Sequence, residues 1–211
     1  MRVEPSVKRT VSFVDGQNLY FAAREAFGYS YPNYDALALS KTVCAEKGWK
    51  LVQTRFYTGV PDQQDNALWN SFWAAKLLWM ARQGIHTYSR PLRYRNKRIT
   101  LPDGTEHTFL TGEEKGIDVR IAIDVIRMAH RKQYDVALIF SQDQDLSEVA
   151  REIRVISCEQ DRWIKVACAF PQSPTSVNRR GIDGTDWIPL DRSLYQKCLD
   201  PRDYRPKARR S

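Results

Sequence analysis

Two rhythms of apolar residues run along this chain. In the first they are nearly continuous, as in Thr10-Val11-Ser12-Phe13-Val14 and Val136-Ala137-Leu138-Ile139-Phe140. Such runs predict parallel strands buried on both faces. In the second they recur at helical spacing. Leu19, Tyr20, Ala23 and Phe27 share one face of a helix predicted over 17–27. Asp35 is placed to cap a helix reaching about Lys47, with Gly48 closing it. A third helix over 66–82 carries Trp69, Phe72, Trp73 and Trp79 at core spacing, and Gly84 ends it. Strands are predicted over 50–57, 85–89 and 163–170, and a short one over 187–190. Helices are predicted over 116–132, 145–157 and 192–199. Segments 93–100 and 105–110 flank Asp103-Gly104, a hairpin signature. Residues 1–8 read as disordered. Alternating strands and helices predict an α/β sandwich on a mainly parallel sheet of about five strands, with the hairpin as an insertion. The expected domain is 9–190, followed over 191–211 by a short helix and a basic tail.

Both apolar runs end abruptly in acid: Asp15-Gly16-Gln17-Asn18 after the first, Ser141-Gln142-Asp143-Gln144-Asp145 after the second. Ligands of open α/β sheets bind just outside those strand ends. A third acidic segment, Lys115-Gly116-Ile117-Asp118 through Asp124, lies between them. Carboxylates gathered at one sheet edge repel unless a cation sits among them, so the pattern points to a divalent metal. Asp15, Asp118 and Asp143 are the expected metal ligands, Asp145 and Asn18 join them as expected catalytic residues, and Ser141 is a support. Each has a plainer reading. Asp15 or Asp118 could cap a helix, Asn18 could be a turn residue, and Asp145 could cap the following helix with Glu148 completing a capping box. Asp124 shares a face with Arg120, Arg127 and Arg131 at ion-pair spacing, which predicts structural support rather than metal binding.

Composition narrows the picture. The net charge is +8 and the pI near 9.4, which favours a polyanionic partner. Arg90, Arg93, Arg95, Lys97 and Arg98 crowd one segment; Arg202, Arg205, Lys207, Arg209 and Arg210 crowd the last ten residues. Acidic centre and basic outworks suit phosphodiester chemistry. The plainer reading of the basic runs is solvated surface. No apolar run reaches the roughly 18 residues of a membrane span, and residues 1–6 lack a signal-peptide core. The four cysteines form no CxxC pair and read as reduced, mostly buried thiols of a cytoplasmic protein. His86, His107 and His130 have no ligand spacing. P-loop, dinucleotide-binding and serine-hydrolase motifs are missing.

The three acidic motifs, in order and spacing, resemble those of the NYN domain, a branch of the PIN-like ribonucleases that includes LabA-like bacterial proteins. The resemblance covers roughly 9–190. It implies a three-layer α/β/α sandwich in which the first strand and the strand over 134–140 lie side by side, bringing Asp15, Asp118 and Asp143 to one cleft. It also implies metal-assisted hydrolysis of nucleic acid, RNA ahead of DNA, with Mg²⁺ or Mn²⁺ held by the aspartates. Arg93, Arg95, Lys97 and Arg98 would then guide the strand by its phosphates. No membrane partner is expected, and a homo-oligomer stays open. Relatives usually carry Gly at the position of Gln142 and Phe at that of Leu146; a bulkier Gln142 is expected to narrow the cleft or alter substrate choice. Two other classes compete. A haloacid-dehalogenase phosphatase needs a second Asp two residues after the first, where this chain has Gln17. A non-catalytic binding module on the same fold is the alternative that the intact acids argue against.

Overall fold

The structure, a computed structural model, describes residues 2–101 and 103–206. Six strands form one sheet: β1 (Arg9–Asp15), β2 (Lys50–Val60), β3 (His86–Pro91), β6 (Val136–Phe140), β7 (Lys165–Pro171) and β8 (Asp186–Leu190). Their order is β3-β2-β1-β6-β7-β8, and every pairing is parallel. The sheet exceeds the five strands expected, because the short Asp186–Leu190 segment pairs with β7. Pro189 is tolerated there, and Pro91 in β3, because both strands are edges and need no inward N–H from those positions. Between β3 and the next helix, β4 (Arg93–Thr100) and β5 (Glu106–Glu113) pair antiparallel as a separate two-stranded hairpin.

Alternating side chains give the sheet two apolar faces. Val14, Phe56, Leu138 and Phe140 meet α1 (Gly16–Phe27), α2 (Ala36–Glu46) and α3 (Ala67–Arg82). Val11, Phe13, Ala137 and Ile139 meet α4 (Ile117–His130) and α5 (Ser147–Glu159). This is the expected three-layer α/β/α sandwich. Of the four aromatics of α3, Phe72 and Trp73 are buried in the first core as predicted, Trp69 is partly buried against it, and Trp79 lies outside it beneath the Arg202 guanidinium. The short α6 (Arg192–Lys197) buries Tyr195 in that same core. Beyond it, Asp200 lies 3.0 Å from the buried Lys76 ammonium, and Tyr204 packs on Phe72. Lys207, Arg209 and Arg210 of the basic run lie outside the described residues.

One helix begins differently from the sequence reading. Asp145 does not cap α5. Asp143 accepts a hydrogen bond from the Asp145 amide and opens a single 3-10 turn over Gln144–Leu146, from which α5 continues with no side-chain cap at Leu146. Two acids spaced two apart gave either one the reach for capping, and the turn geometry selects the earlier.

At the opposite end of the sheet, Asp135 ties the strand starts together. It accepts from the Arg9 amide and guanidinium and from Arg162. Burial opposes its charge, but the hydrogen bonds and charge of Arg9, with Arg162, hold its pKa below the usual carboxylate value. A lowered folded pKa contributes stability that is present above the unfolded pKa, about 3.9, and is lost as pH falls through the folded value. Melting temperature is therefore expected to drop below about pH 4. Asp135→Asn should flatten that acid limb while lowering stability at neutral pH. An unchanged limb in a pH series of melting curves would assign acid sensitivity elsewhere.

Candidate active site

The cleft forms where β1 and β6 end side by side. Asp15 is the last residue of β1 and caps α1: its Oδ1 accepts the Asn18 amide at 3.0 Å. Gly16 follows because its neighbour is the Phe56 ring; a Cβ there would lie 2.5 Å from Phe56 Cζ. The Asn18 side chain then reaches across to β6, where its Oδ1 accepts the Gln142 amide at 2.8 Å. Ser141 Oγ donates to Asp15 Oδ2 at 3.4 Å and accepts the Asp143 amide at 3.2 Å. Thus Asn18 and Ser141 bolt the two strand ends together, and Asp15 and Asp143 with them. The Ser141 hydroxyl lies on Asp15 as expected of a support, whereas the Asn18 side chain holds the Gln142 backbone and only its main-chain N–H reaches Asp15.

Asp118 enters from the first turn of α4, half-buried. With Asp15, Asn18 and Asp143 it lines a cleft of about 390 Å³. Glu114, at the foot of the hairpin, lines the same cleft and was not singled out in the sequence. Its carboxylate accepts the Gly59 amide, and Gly59 leaves room for this because any Cβ would lie 2.7 Å from Glu114 Oε2. The signal that could have found it is its place at the end of the hairpin, four residues before Asp118. Asp145 is exposed and not among the cleft-lining residues. Asp124 is buried away from the cleft. It accepts from Arg55, Tyr57, Arg120 and Arg127 at 2.9–3.2 Å. Of its predicted arginine face, Arg120 and Arg127 bind it, while Arg55 and Tyr57 come unforeseen from β2. Gln142 does not narrow the cleft. Its side chain turns away and donates to the Arg180 and Asn178 carbonyls, fastening the loop before β8.

The electrostatics are those of crowded anions. Burial, then the charges of Asp143 and Asp118, push Asp15 up to about 6, against the opposing hydrogen bonds from Asn18 and Ser141. Burial and then the charge of Asp15 push Glu114 up to about 8. Lys115 is the sole cation among the described lining residues. The donors are carboxylate and amide oxygens, hard ligands suited to Mg²⁺, Mn²⁺ or Ca²⁺. Among the described residues, however, no three His, Cys, Asp or Glu side chains form a closed ligand group as they stand. In donor chemistry and uncompensated charge the cleft suits a hard divalent cation. A larger cavity of about 810 Å³, beneath Arg2–Glu4 and beside Trp163, contains none of these acids.

The hairpin bears the predicted basic residues. Arg93, Arg95 and Lys97 alternate onto one of its faces, opposite Glu113, Thr111 and Phe109. Arg98 falls on the other face with Tyr94. All four cationic side chains are exposed, and the Arg95–Glu113 and Arg98–Glu106 pairs, at 3.7 and 3.9 Å, are loose surface contacts.

Fold and cleft together define a PIN-like α/β protein with an acidic centre. The chain belongs to the NYN domain family, whose description matches residues 9–161. That family is nuclease-like, which makes this chain a hydrolase-type, nucleic-acid-directed domain at a coarse level. A comparison with curated proteins finds no match. Among solved structures, a protein of unknown function from Vibrio parahaemolyticus is similar at 18% identity and TM-score 0.47, over 90% of this chain and 98% of its own. MurG from Acinetobacter baumannii is similar at 11% and 0.33, over 87% and 45%. The deacetylase of a teicoplanin complex is similar at 14% and 0.32, over 75% and 68%. At these values the likenesses carry nothing about function. No described helix is long and apolar enough to cross a membrane.

Proposed function

We propose that this chain is a metal-dependent endoribonuclease of the LabA-like branch, acting in the cytoplasm. The observation that carries the reading is the gathering of Asp15, Asp118 and Asp143 on one cleft at the carboxyl edge of β1 and β6. Asp15, Asp118 and Asp143 would hold Mg²⁺ or Mn²⁺, with Glu114 the added carboxylate of the cleft. When bound, the cation supplies charge that activates water and stabilises the developing phosphorane. The chain's own residues do the positioning. Ser141 hydrogen bonds to Asp15 and to the Asp143 backbone, so the two acids keep a fixed relation. Asn18 locks α1 to the end of β6 and keeps the cleft from spreading. Neither Cys168 nor Ser141 suits the part of an activated nucleophile: burial pushes the Cys168 thiol up to about 12, and Ser141 has no basic partner among the described residues. Water is therefore the expected nucleophile, without a covalent intermediate. The buried Cys44, Cys168 and Cys198, all unpaired, support a reducing compartment.

The test is a panel of labelled RNAs and DNAs incubated with Mg²⁺, Mn²⁺ or EDTA. Internal cleavage of RNA that EDTA stops is expected, with a rise in melting temperature on adding either ion. Binding without cleavage in every condition would leave the competing reading, a non-catalytic nucleic-acid module. The open ligand group is the observation on that reading's side.

The basic hairpin gives a separate expectation. If Arg93, Arg95 and Lys97 touch phosphates, replacing all three with Ala weakens binding to every sequence about equally. The slope of log K against log salt should flatten by roughly 2–3, at about 0.7–0.9 per contact. An unchanged slope would leave these residues a solubilising edge.

A further inference from the structure

A second basic feature lies at the opposite end of α4 from the cleft. A groove of about 450 Å³ opens between α4 and the β2–β3 edge of the sheet. Its polar lining consists of Arg55, His86, Arg127, Arg131, Gln53 and Gln133, every one able to donate, and no carboxylate lines it. Asp124 lies beneath, wholly buried and already shared among Arg55, Arg120 and Arg127. Three guanidinium groups thus share one carboxylate, and Arg131 lines the groove beside them. Arg131 has no acidic partner among the described residues. The groove also leads somewhere. Arg120 continues the row up α4, stacked 5.0 Å above the Tyr88 ring of β3. Arg90 follows at the top of β3, donating to the Lys115 carbonyl beside the cleft. From Arg120 to Arg131 the helix climbs about 16 Å.

We propose that this row, Arg131-Arg127-Arg120-Arg90, is a track for the phosphate backbone of a nucleic-acid strand whose near end lies in the acidic cleft. The proposal rests on the nuclease reading and extends it to a surface outside the cleft and the hairpin. Its physical basis is charge complementarity. A row of guanidinium groups, two of them held by one buried carboxylate, presents repeated donors to repeated phosphates without reading bases. Asp124 fixes Arg120 and Arg127 in orientation, which lowers the cost of ordering them on a ligand. The competing account makes Arg131 an ordinary cation at a helix C-terminus, where it would interact with the last carbonyls and nothing else.

The experiment measures binding of labelled single-stranded RNAs to the Asp143→Asn protein with Mg²⁺ present, so that strands survive. Two lengths are used, about 4 and about 16 nucleotides, the span of common single-strand site sizes. The longer strand is expected to bind more tightly than the shorter. Arg131→Ala and Arg131→Gln should each weaken the longer strand several-fold and lower its salt slope by about 0.7–0.9. The shorter strand should change less than about twofold, which also reports an intact fold. Equal affinity of variants and parent for the longer strand overturns the track. So does equal weakening of both lengths, or displacement of the longer strand by inorganic phosphate as readily as by unlabelled RNA. If short strands bind and length adds nothing, the track alone falls; if no strand binds at any length, the nuclease reading falls with it.

Discussion

Asp143→Asn should reduce cleavage at least about 100-fold, because it removes one of the anionic charges on which several kcal/mol of transition-state stabilisation depend. The fold should survive the change. Asp143 is half-buried, and its structural task is to accept the Asp145 amide at 3.0 Å. An Asn side-chain oxygen accepts that bond equally well. Melting curves of variant and parent should nearly coincide, while a gel assay with Mn²⁺ or Mg²⁺ shows product only for the parent. A variant that cleaves at the parent's rate would remove Asp143 from the catalytic set and, with it, the acidic cleft as the reacting site.

Asp124→Asn should show the reverse pattern. Asp124 is wholly buried, and its two oxygens accept from Arg55, Tyr57, Arg120 and Arg127. Burial works against its charge, but the Tyr57 hydroxyl and the arginines hold its pKa below the ordinary value. Neutralising it leaves guanidinium groups partly buried without a counter-charge, a change that costs about 3–5 kcal/mol. For a chain of this size that is a fall in melting temperature of roughly 6–20 °C, at about 2–4 °C per kcal/mol. Cleavage per folded molecule, measured well below the variant's melting point, should stay within about tenfold of the parent, one factor of ten being 1.4 kcal/mol. Loss of activity with unchanged stability would make Asp124 a participant in the chemistry instead.

The contrast between these two aspartates shows what the sequence could and could not tell. Asp15 and Asp143 were legible because each ends a run of apolar residues that only a buried parallel strand explains, and strand ends of such sheets face ligands. Asp124 was legible as structural because arginines recur around it at helical spacing. Its strongest partners beyond the helix, Arg55 and Tyr57, lie on β2, and contacts between distant segments leave no periodic trace. Glu114 escaped for a related reason. Its importance depends on the hairpin's foot meeting the Gly59 amide, a juxtaposition set by how the separate β4–β5 hairpin returns toward the end of β2. Gln142 misled in the opposite sense. Its position in the motif suggested a cleft residue, but in a strand-to-helix turn neighbouring side chains diverge, and Gln142 follows the loop before β8.

The family description ends at residue 161, yet the sheet and first core continue well past it. β7 and β8 complete the sheet, α6 seals the first core, and Asp200 neutralises Lys76 inside it. Burial pulls the Lys76 ammonium down from its usual value, and Asp200 is the counterweight. A chain cut to family length would therefore expose the β6 edge and uncover the first core around Lys76, which α6, Asp200 and Tyr204 close off. The segment that the family description matches is therefore expected not to fold by itself, and gene fragments cut to it should yield aggregates rather than a smaller domain.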